Sequence, residues 1–233
     1  MQLCLALDLD SKRACLDLLE SLRGLKLLVK VGLRAFVREG PGLIHEIHNM
    51  GFKIFLDLKL HDIPNTMASA VLECAHLGVD MLTLHASSGK PALLAVMEQI
   101  QSLKQRPKIL GVTLLTSLDE AQSQSLYNAP LERHALHLAM LCFESGLDGV
   151  VCSVHESLTI KQATSPHFLT LTPGIRPNLQ EVQDQKRVGS LQDAKMAKAD
   201  FIVIGRPIYK SPNPKATTAQ ILATMESLEH ANL

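Results

Sequence analysis

Short apolar runs rich in β-branched residues alternate with amphipathic stretches from one end of the chain to the other. Each run has the length of a buried strand, and the stretches between them, such as 65–77, 91–103 and 131–145, carry apolar residues at the spacing of one helix face. Eight runs are predicted strands: Leu3–Asp8, Lys26–Gly32, Lys53–Leu60, Asp80–Ala86, Lys108–Thr116, Gly149–Ser153, Phe168–Gly174 and Phe201–Pro207.

Eight strand–helix units in 233 residues average about 29 residues each. This predicts an α/β protein with a (β/α)8 TIM barrel as a single domain over residues 1–233. An open doubly wound sheet is the competing architecture, but its usual G-x-G-x-x-G turn is missing after the first run. That position holds Asp8-Leu9-Asp10-Ser11, in which Asp10 or Ser11 is the expected N-cap of a helix.

Two long stretches, 116–130 and 176–189, have no assigned structure between predicted elements. Loops of this length in a compact domain often cover an active site. We therefore expect both to lie near bound substrate.

Charge and composition limit the possible functions. The 23 basic residues balance 23 acidic ones, which argues against a basic nucleic-acid-binding surface, and a 46% hydrophobic content is typical of a globular protein. The chain lacks the run of about 18 to 20 apolar residues needed to span a membrane. Its first residues do not resemble a secretory leader, so we expect a cytoplasmic protein without membrane or nucleic-acid partners.

Cysteine and histidine spacing gives no metal signature. Five cysteines occur without a C-x-x-C pair, which favours buried thiols over a disulfide framework or a zinc site. The pairs His45/His48 and His134/His137 lack the H-E-x-x-H pattern. The sequence therefore predicts no metal.

Polar residues gather at the carboxyl ends of the apolar runs. In a barrel these ends converge on one rim, where active sites of this fold lie. The residues are Asp8, Lys30, Asp57, Lys59, His85, Thr116 and Ser153.

The string D-x-K-x-x-D, made of Asp57, Lys59 and Asp62, places two acids and a base within six residues of otherwise apolar chain. Alternation along a strand predicts that Asp57 and Lys59 point the same way, and buried charges at this density must pair. Asp62 could instead be a simple N-cap for the helix that begins near Pro64.

A lysine between carboxylates is held as an ammonium, which makes it a poor Schiff-base nucleophile and a good proton donor. Neighbouring aspartates would also repel a substrate carboxylate. The group therefore suits loss of carbon dioxide followed by protonation of the carbanion.

A phosphate site is predicted at the other end of the chain. The eighth run finishes in a segment that contains Gly205 and Arg206, and the seventh finishes in Thr172-Pro173-Gly174-Ile175-Arg176. Loops after strands seven and eight commonly bind phosphate in this barrel.

Motifs in the same order along nearly the whole chain resemble those of the orotidine 5'-phosphate decarboxylase family of the bacterial type. The string around D-x-K-x-x-D is the most specific of them. The motifs are ALD (6–8), KVG (30–32), FLDLKLHDIPNT (55–66), VTLLTS (112–117), GLDGVVCS (146–153), TPGIRP (172–177), DQKR (184–187) and VIGRPI (203–208). The stretch Leu33-Arg34-Ala35-Phe36 departs from the commoner polar version.

The resemblance implies a homodimer that converts orotidine 5'-monophosphate to uridine 5'-monophosphate in pyrimidine synthesis without cofactor or metal. It implies that Lys59 protonates C6 of the pyrimidine and that Lys30, Asp57 and Asp62 complete an alternating charge network. It also implies that Asp62, Ile63 and Thr66 reach into the partner's site.

The resemblance further assigns substrate contacts. Asp8 and Lys30 match the ribose contacts, and Thr116 and Ser117 match the loop over the base. The phosphate positions are matched by Arg176, Gln185, Gly205 and Arg206.

Two alternatives remain. A metal-dependent phosphosugar decarboxylase or epimerase of the same barrel group would share part of these motifs but would lose activity with a chelator. A non-catalytic nucleotide sensor would bind uridine monophosphate without turnover.

Overall fold

Eight parallel strands close into one barrel in the computed structural model, which describes residues 1–177 and 187–230. Each strand pairs with the next, and the last pairs with the first, which confirms the (β/α)8 prediction and excludes the open sheet. The strands are β1 (Gln2–Ala6), β2 (Leu28–Gly32), β3 (Lys53–Leu60), β4 (Met81–His85), β5 (Lys108–Val112), β6 (Gly149–Val151), β7 (Leu169–Thr172) and β8 (Phe201–Ile204).

Helices follow the strands around the outside of the barrel. The three predicted at 65–77, 91–103 and 131–145 are α4, α5 and α7, with ends shifted by three residues at most. The helices are α1 (Lys12–Ser21), α2 (Leu33–Glu39), α3 (Pro41–Asn49), α4 (Pro64–His76), α5 (Lys90–Ile100), α6 (Glu120–Tyr127), α7 (Leu131–Glu144), α8 (Val154–Ala163), α9 (Leu191–Met196), α10 (Arg206–Tyr209) and α11 (Pro214–His230).

Side-chain caps explain where several helices begin. The hydroxyl of Ser11 accepts a hydrogen bond from the amide of Ala14, so Ser11 rather than Asp10 is the N-cap of α1. Ser153 and Glu156 form a capping box at the start of α8. Ser153, expected at the site, is therefore a buried helix cap.

The expectation that the stretch 116–130 has no regular structure is wrong, because it contains α6. Asp119 caps this helix in a capping box with Gln122, and Asn128 ends it in the left-handed conformation. Only Ser123 is buried among the helix residues, so no apolar stripe marks it in the sequence. Of the stretch 176–189, residues 178–186 lie outside the described part of the chain.

The hydrophobic core has two layers, as the barrel fold requires. Eleven buried side chains fill the barrel interior, among them Phe55, Met81 and Phe201. The larger cluster packs the outer faces of the strands against the helices, including Leu19, Ile44 and Val96. The interior is thus a packed plug that supports the rim from below.

All five cysteines are buried free thiols, as predicted. Among the helices of residues 1–177 and 187–230, none has the length and apolar character needed to cross a membrane.

We expect Gly149→Ala to lower the free energy of unfolding by about 1–3 kcal/mol, because overpacking strains a filled core. A Cβ at Gly149 would collide with the carbonyl oxygen of Leu169 and lie 2.6 Å from its Cβ on the paired strand β7. Gly42→Ala is the matched control, because a Cβ at this exposed position in α3 meets open space. It should stabilise the protein by up to about 1 kcal/mol. Urea unfolding measures both, and equal effects would contradict the prediction.

Candidate active site

A cavity of about 400 Å³ opens at the carboxyl ends of the strands. Active sites of this fold lie at that end. Eight predicted site residues line it, namely Asp8, Lys30, Asp57, Lys59, Thr116, Arg176, Gly205 and Arg206. Residues from both halves of the sequence therefore meet in one place.

Apolar side chains form the floor of the cavity. Ala6, Phe55, Val151, Leu171 and Val203 line it and belong to the cluster that fills the barrel. Because the charged residues stand above an apolar surface, their interactions are weakly screened by water.

Asp57 is the centre of the charged group. One carboxylate oxygen lies 3.1 Å from Lys30 Nζ. The other accepts hydrogen bonds from Lys59 Nζ at 2.7 Å and from the hydroxyl of Thr83 at 3.0 Å. The side chains of Asp57 and Lys30 are only 10% and 12% exposed, whereas that of Lys59 is 34% exposed and faces the cavity.

The pKa values of Asp57 and Lys30 move in opposite directions. Burial alone would raise the pKa of Asp57, but the positive charges of Lys30 and Lys59 outweigh burial and lower it. Burial alone would lower the pKa of Lys30, but Asp57 and Asp8 raise it. Both residues are therefore ionised at neutral pH.

Gly32, at the end of β2, leaves room for two of these charges. A Cβ there would lie 3.1 Å from Lys30 Nζ and 3.3 Å from a carboxylate oxygen of Asp8. These distances are tighter than ordinary Cβ contacts, so a larger residue would require the lysine or the aspartate to shift by a few tenths of an ångström. The glycine of the KVG motif thus lets the side chains of Asp8 and Lys30 both approach the end of β2.

Lys59 has an unusual backbone. Its φ of 53° lies in the left-handed region, which costs about 1–2 kcal/mol for a residue with a side chain. The strand register shifts here: Leu56 pairs with Leu82, but Leu60 pairs with Leu84. Asp57 and Lys59 meet as predicted, but through this bulge rather than through regular strand alternation.

The phosphate-type residues lie on the loops after β7 and β8. Arg176 is buried, and its amide donates a hydrogen bond to the carbonyl of Gly189 at 2.8 Å. A Cβ at Gly205 would lie 3.1 Å from Cβ of Ala6, so the glycine allows close approach to β1. Arg206 follows directly as the first residue of α10.

Thr116 is connected to the segment after β7 through its neighbour Leu115. The guanidinium of Arg187 donates to the carbonyl of Leu115 at 3.3 Å and forms an ion pair with Glu156. Burial raises the pKa of Glu156 in spite of Arg187. Arg187 thus links the loop that contains Thr116 to helix α8.

Four predicted site residues among those that the structure describes do not line the cavity within one chain. Asp62, Ile63, Thr66 and Ser117 are exposed residues outside its lining, and Gln185 lies outside the described residues. The N-cap interpretation of Asp62 is wrong, because Ile63 occupies that position of α4 without a side-chain cap. The carboxylate of Asp62 accepts a hydrogen bond from the amide of Ile63 at 2.7 Å.

His85 is also absent from the cavity lining, although it ends β4 as predicted. Its ring centroid lies 5.3 Å from that of His61. Burial, followed by the charges of His61 and Lys59, lowers the pKa of His85, so its imidazole is neutral at pH 7.

Sequence reasoning missed three residues at the site. Arg34 and Tyr209 line the cavity, and Thr83 bonds to Asp57 from β4. A threonine in the middle of an apolar strand was the available signal for Thr83. Arg34 stands in the departing stretch after KVG, and its guanidinium pairs with Asp10 at 2.6 Å.

Within residues 1–177 and 187–230, no group of three or more His, Cys, Asp or Glu side chains is arranged to hold a metal ion.

Comparisons with known proteins agree on one family. The model of the Orotidine 5'-phosphate decarboxylase / HUMPS family matches residues 1–221. A protein of Helicobacter pylori named orotidine 5'-phosphate decarboxylase is 54% identical over 224 residues, which cover 95% of this chain and 99% of that protein. One of the same name from Campylobacter fetus is 51% identical over 223 residues, covering 95% and 98%.

A solved structure gives the same answer. The crystal structure of orotidine 5'-phosphate decarboxylase from Lactobacillus acidophilus superimposes with a TM-score of 0.84 at 32% identity. The match covers 96% of this chain and 98% of that one.

The lowered pKa of Asp57 predicts an acid-sensitive contribution to stability. The ionised carboxylate of Asp57 contributes its full stabilisation of the fold above its ordinary pKa of about 3.9. That stabilisation is lost as the pH falls through the lower pKa that Asp57 has in the folded protein. Lys30 has a raised pKa, so its contribution is complete below its ordinary value of about 10.4 and is lost only above it.

The difference in unfolding free energy between wild type and Asp57→Asn should therefore be constant from about pH 6 to 9 and shrink toward pH 3. Urea unfolding at a series of pH values measures it. A difference that grows on acidification would contradict the prediction.

Proposed function

The chain belongs to the orotidine 5'-phosphate decarboxylase / HUMPS family, and from this membership we propose how its residues carry out the reaction. Its activity is the decarboxylation of orotidine 5'-monophosphate to uridine 5'-monophosphate in pyrimidine nucleotide biosynthesis. One observation carries the proposed mechanism: Lys59, salt-bridged to the buried Asp57, faces a cavity that Arg176 and Arg206 also line.

Lys59 is the proton donor in this proposal. The bond between C6 and the carboxylate carbon breaks, carbon dioxide leaves, and the electron pair stays on C6. The ammonium of Lys59 stabilises the developing charge and transfers a proton to C6, after which the neutral amine regains a proton from water. Asp57 keeps the lysine in place, and its three hydrogen-bonding neighbours keep Asp57 in place.

The remaining cavity residues bind the parts of the substrate that do not react. Arg176, Gly205 and Arg206, with Gln185, bind the 5'-phosphate, and a guanidinium suits this because its N–H groups match phosphate oxygens. Asp8 and Lys30 bind the ribose hydroxyl groups.

Thr116 and Ser117 lie over the base in this proposal. Binding energy from the phosphate closes the loops and excludes water from the reacting carbon. The connection from Arg187 to Leu115 supports coupling between the phosphate and base loops.

We also propose a homodimer in which each subunit completes the site of the other. Asp62, Ile63 and Thr66 are exposed between the end of β3, which carries Lys59, and the first turn of α4, and the side chain of Ile63 is 66% exposed. Val37, on the helix after the neighbouring strand, is 77% exposed. Apolar side chains this exposed on two neighbouring strand–helix units suit an interface, and we propose that this interface places Asp62 near the partner's Lys59.

We further propose that the enzyme uses no cofactor or metal, acts in the cytoplasm and binds no nucleic acid. The reaction needs no cofactor or metal because the leaving carboxylate supplies the electron pair and Lys59 supplies the proton. A cytoplasmic location fits five free thiols. The balanced charge supports a single nucleotide rather than a nucleic acid as the partner, and none of the comparisons supports a phosphosugar substrate.

Lys59→Ala should lower kcat by at least about 10³-fold, because it removes both the proton donor and the charge that faces C6. Affinity for uridine monophosphate should remain largely unchanged. The assay follows the loss of orotidine monophosphate absorbance in the presence of a chelator with no metal added.

Lys53→Ala, at the exposed first residue of the same strand, is the matched control and should keep full activity. Substantial turnover by Lys59→Ala would refute the proton-donor role. Loss of wild-type activity in the chelator would favour the metal-dependent alternative.

Mixing inactive Asp62→Ala with inactive Lys59→Ala should restore activity if sites are shared. One of the two sites in a mixed dimer then has all wild-type residues, so random exchange should give about a quarter of wild-type activity. Mixing Lys30→Ala with Lys59→Ala is the control, because both residues belong to the same subunit's site. No recovery in the first mixture, with subunit exchange verified, would contradict the shared site.

A further inference from the structure

We propose that Thr83 is a positioning residue that fixes Asp57 and Lys59 in their working arrangement, an inference that rests on the function proposed above. Thr83 lies in the middle of β4 and is inaccessible to solvent. It does not line the cavity, so it acts through other residues rather than on the substrate.

The hydroxyl of Thr83 makes one hydrogen bond to Lys59 and one to Asp57. It accepts one from the backbone amide of Lys59 at 3.0 Å. It donates the other to a carboxylate oxygen of Asp57 at 3.0 Å, the same oxygen that accepts from Lys59 Nζ. One hydroxyl therefore controls both the backbone of the lysine and the carboxylate that holds its side chain.

The register of the sheet explains why a side chain is needed here. Between the pairs Leu56–Leu82 and Leu60–Leu84, three residues of β3 face Thr83 alone on β4. Regular ladder bonds cannot form across such a bulge. The hydroxyl of Thr83 takes the place of a backbone acceptor for Lys59, whose left-handed conformation needs support from its surroundings.

Threonine suits this position because a hydroxyl can donate and accept at once. Valine has nearly the same shape but does neither, so Thr83→Val removes the two hydrogen bonds with little change in volume. Serine keeps the hydroxyl and loses only a methyl group. The two substitutions therefore separate hydrogen bonding from packing.

Thr170 offers a matched comparison. It is likewise fully buried on a barrel strand, β7, but its hydroxyl bonds to Ser157 at 2.8 Å and to a carboxylate oxygen of Asp200 at 3.5 Å. Thr170→Val therefore removes a buried hydroxyl of the same kind from a position that supports packing.

The experiment compares wild type, Thr83→Val, Thr83→Ser and Thr170→Val by kcat, KM, affinity for uridine monophosphate and amide hydrogen exchange at Lys59. Thr83→Val should lose about tenfold to 100-fold in kcat, the effect expected of a displacement near 1 Å in a catalytic group. Its nucleotide affinity should stay within about twofold, because the phosphate contacts are untouched. Thr83→Ser should recover kcat, and Thr170→Val should keep it.

Exchange at the Lys59 amide should be at least about tenfold faster in Thr83→Val than in wild type, since the bond to its acceptor is lost. Thr170→Val should leave that rate unchanged. If Thr83→Val folds poorly, Thr83→Ala carries the same expectations and relieves any crowding by the second methyl group.

Equal kcat in wild type and Thr83→Val would overturn the inference. A parallel loss of nucleotide affinity, or failure of Thr83→Ser to recover, would also overturn it by showing a general structural effect. Wild-type protein that binds uridine monophosphate without decarboxylating the substrate would refute the proposed function instead, while exchange at Lys59 would still test the hydrogen bond.

Discussion

The buried carboxylate of Asp57 is the group on which the rest of the site depends. A carboxylate this far from water is stable only when donors surround it. Here Lys30, Lys59 and Thr83 approach it from three neighbouring strands, β2, β3 and β4. The closed barrel places these strands side by side, and the apolar side chains that fill its interior keep water away from Asp57 and its partners from below. The barrel fold therefore supplies both the dry surroundings of Asp57 and the partners that keep it ionised.

Much of this could be predicted from the sequence because it depends on periodicity and residue chemistry. The eight apolar runs match the eight strands, and the closed order follows from their number and spacing. Polar residues at the strand ends predicted one rim site, and Asp8, Lys30, Asp57, Lys59 and Thr116 line a common cavity there. The same rule failed for Ser153 because a serine that follows a strand can equally cap the next helix.

What could not be predicted involves contacts between elements. Alternation along β3 predicted that Asp57 and Lys59 pair, and they do. It did not predict the bulge through which they meet, because the pattern of a single strand contains no information about its register with the next strand. The role of Thr83 depends on the register between two strands, and the lining positions of Arg34 and Tyr209 depend on how helices meet the rim. Helix α6 could not be predicted from apolar periodicity, because a capping box sets its start and the helix has almost no buried face.

The bulge between β3 and β4 also bears on the transfer of this chemistry to other proteins. Copying residues 57–59 onto a regular strand of another barrel would reproduce the sequence of the motif. It would lose the left-handed backbone conformation that orients the side chain of Lys59. The transplant would need the two extra residues relative to the neighbouring strand and a hydroxyl facing them. The smallest portable unit of this site is therefore a pair of strands rather than a linear motif.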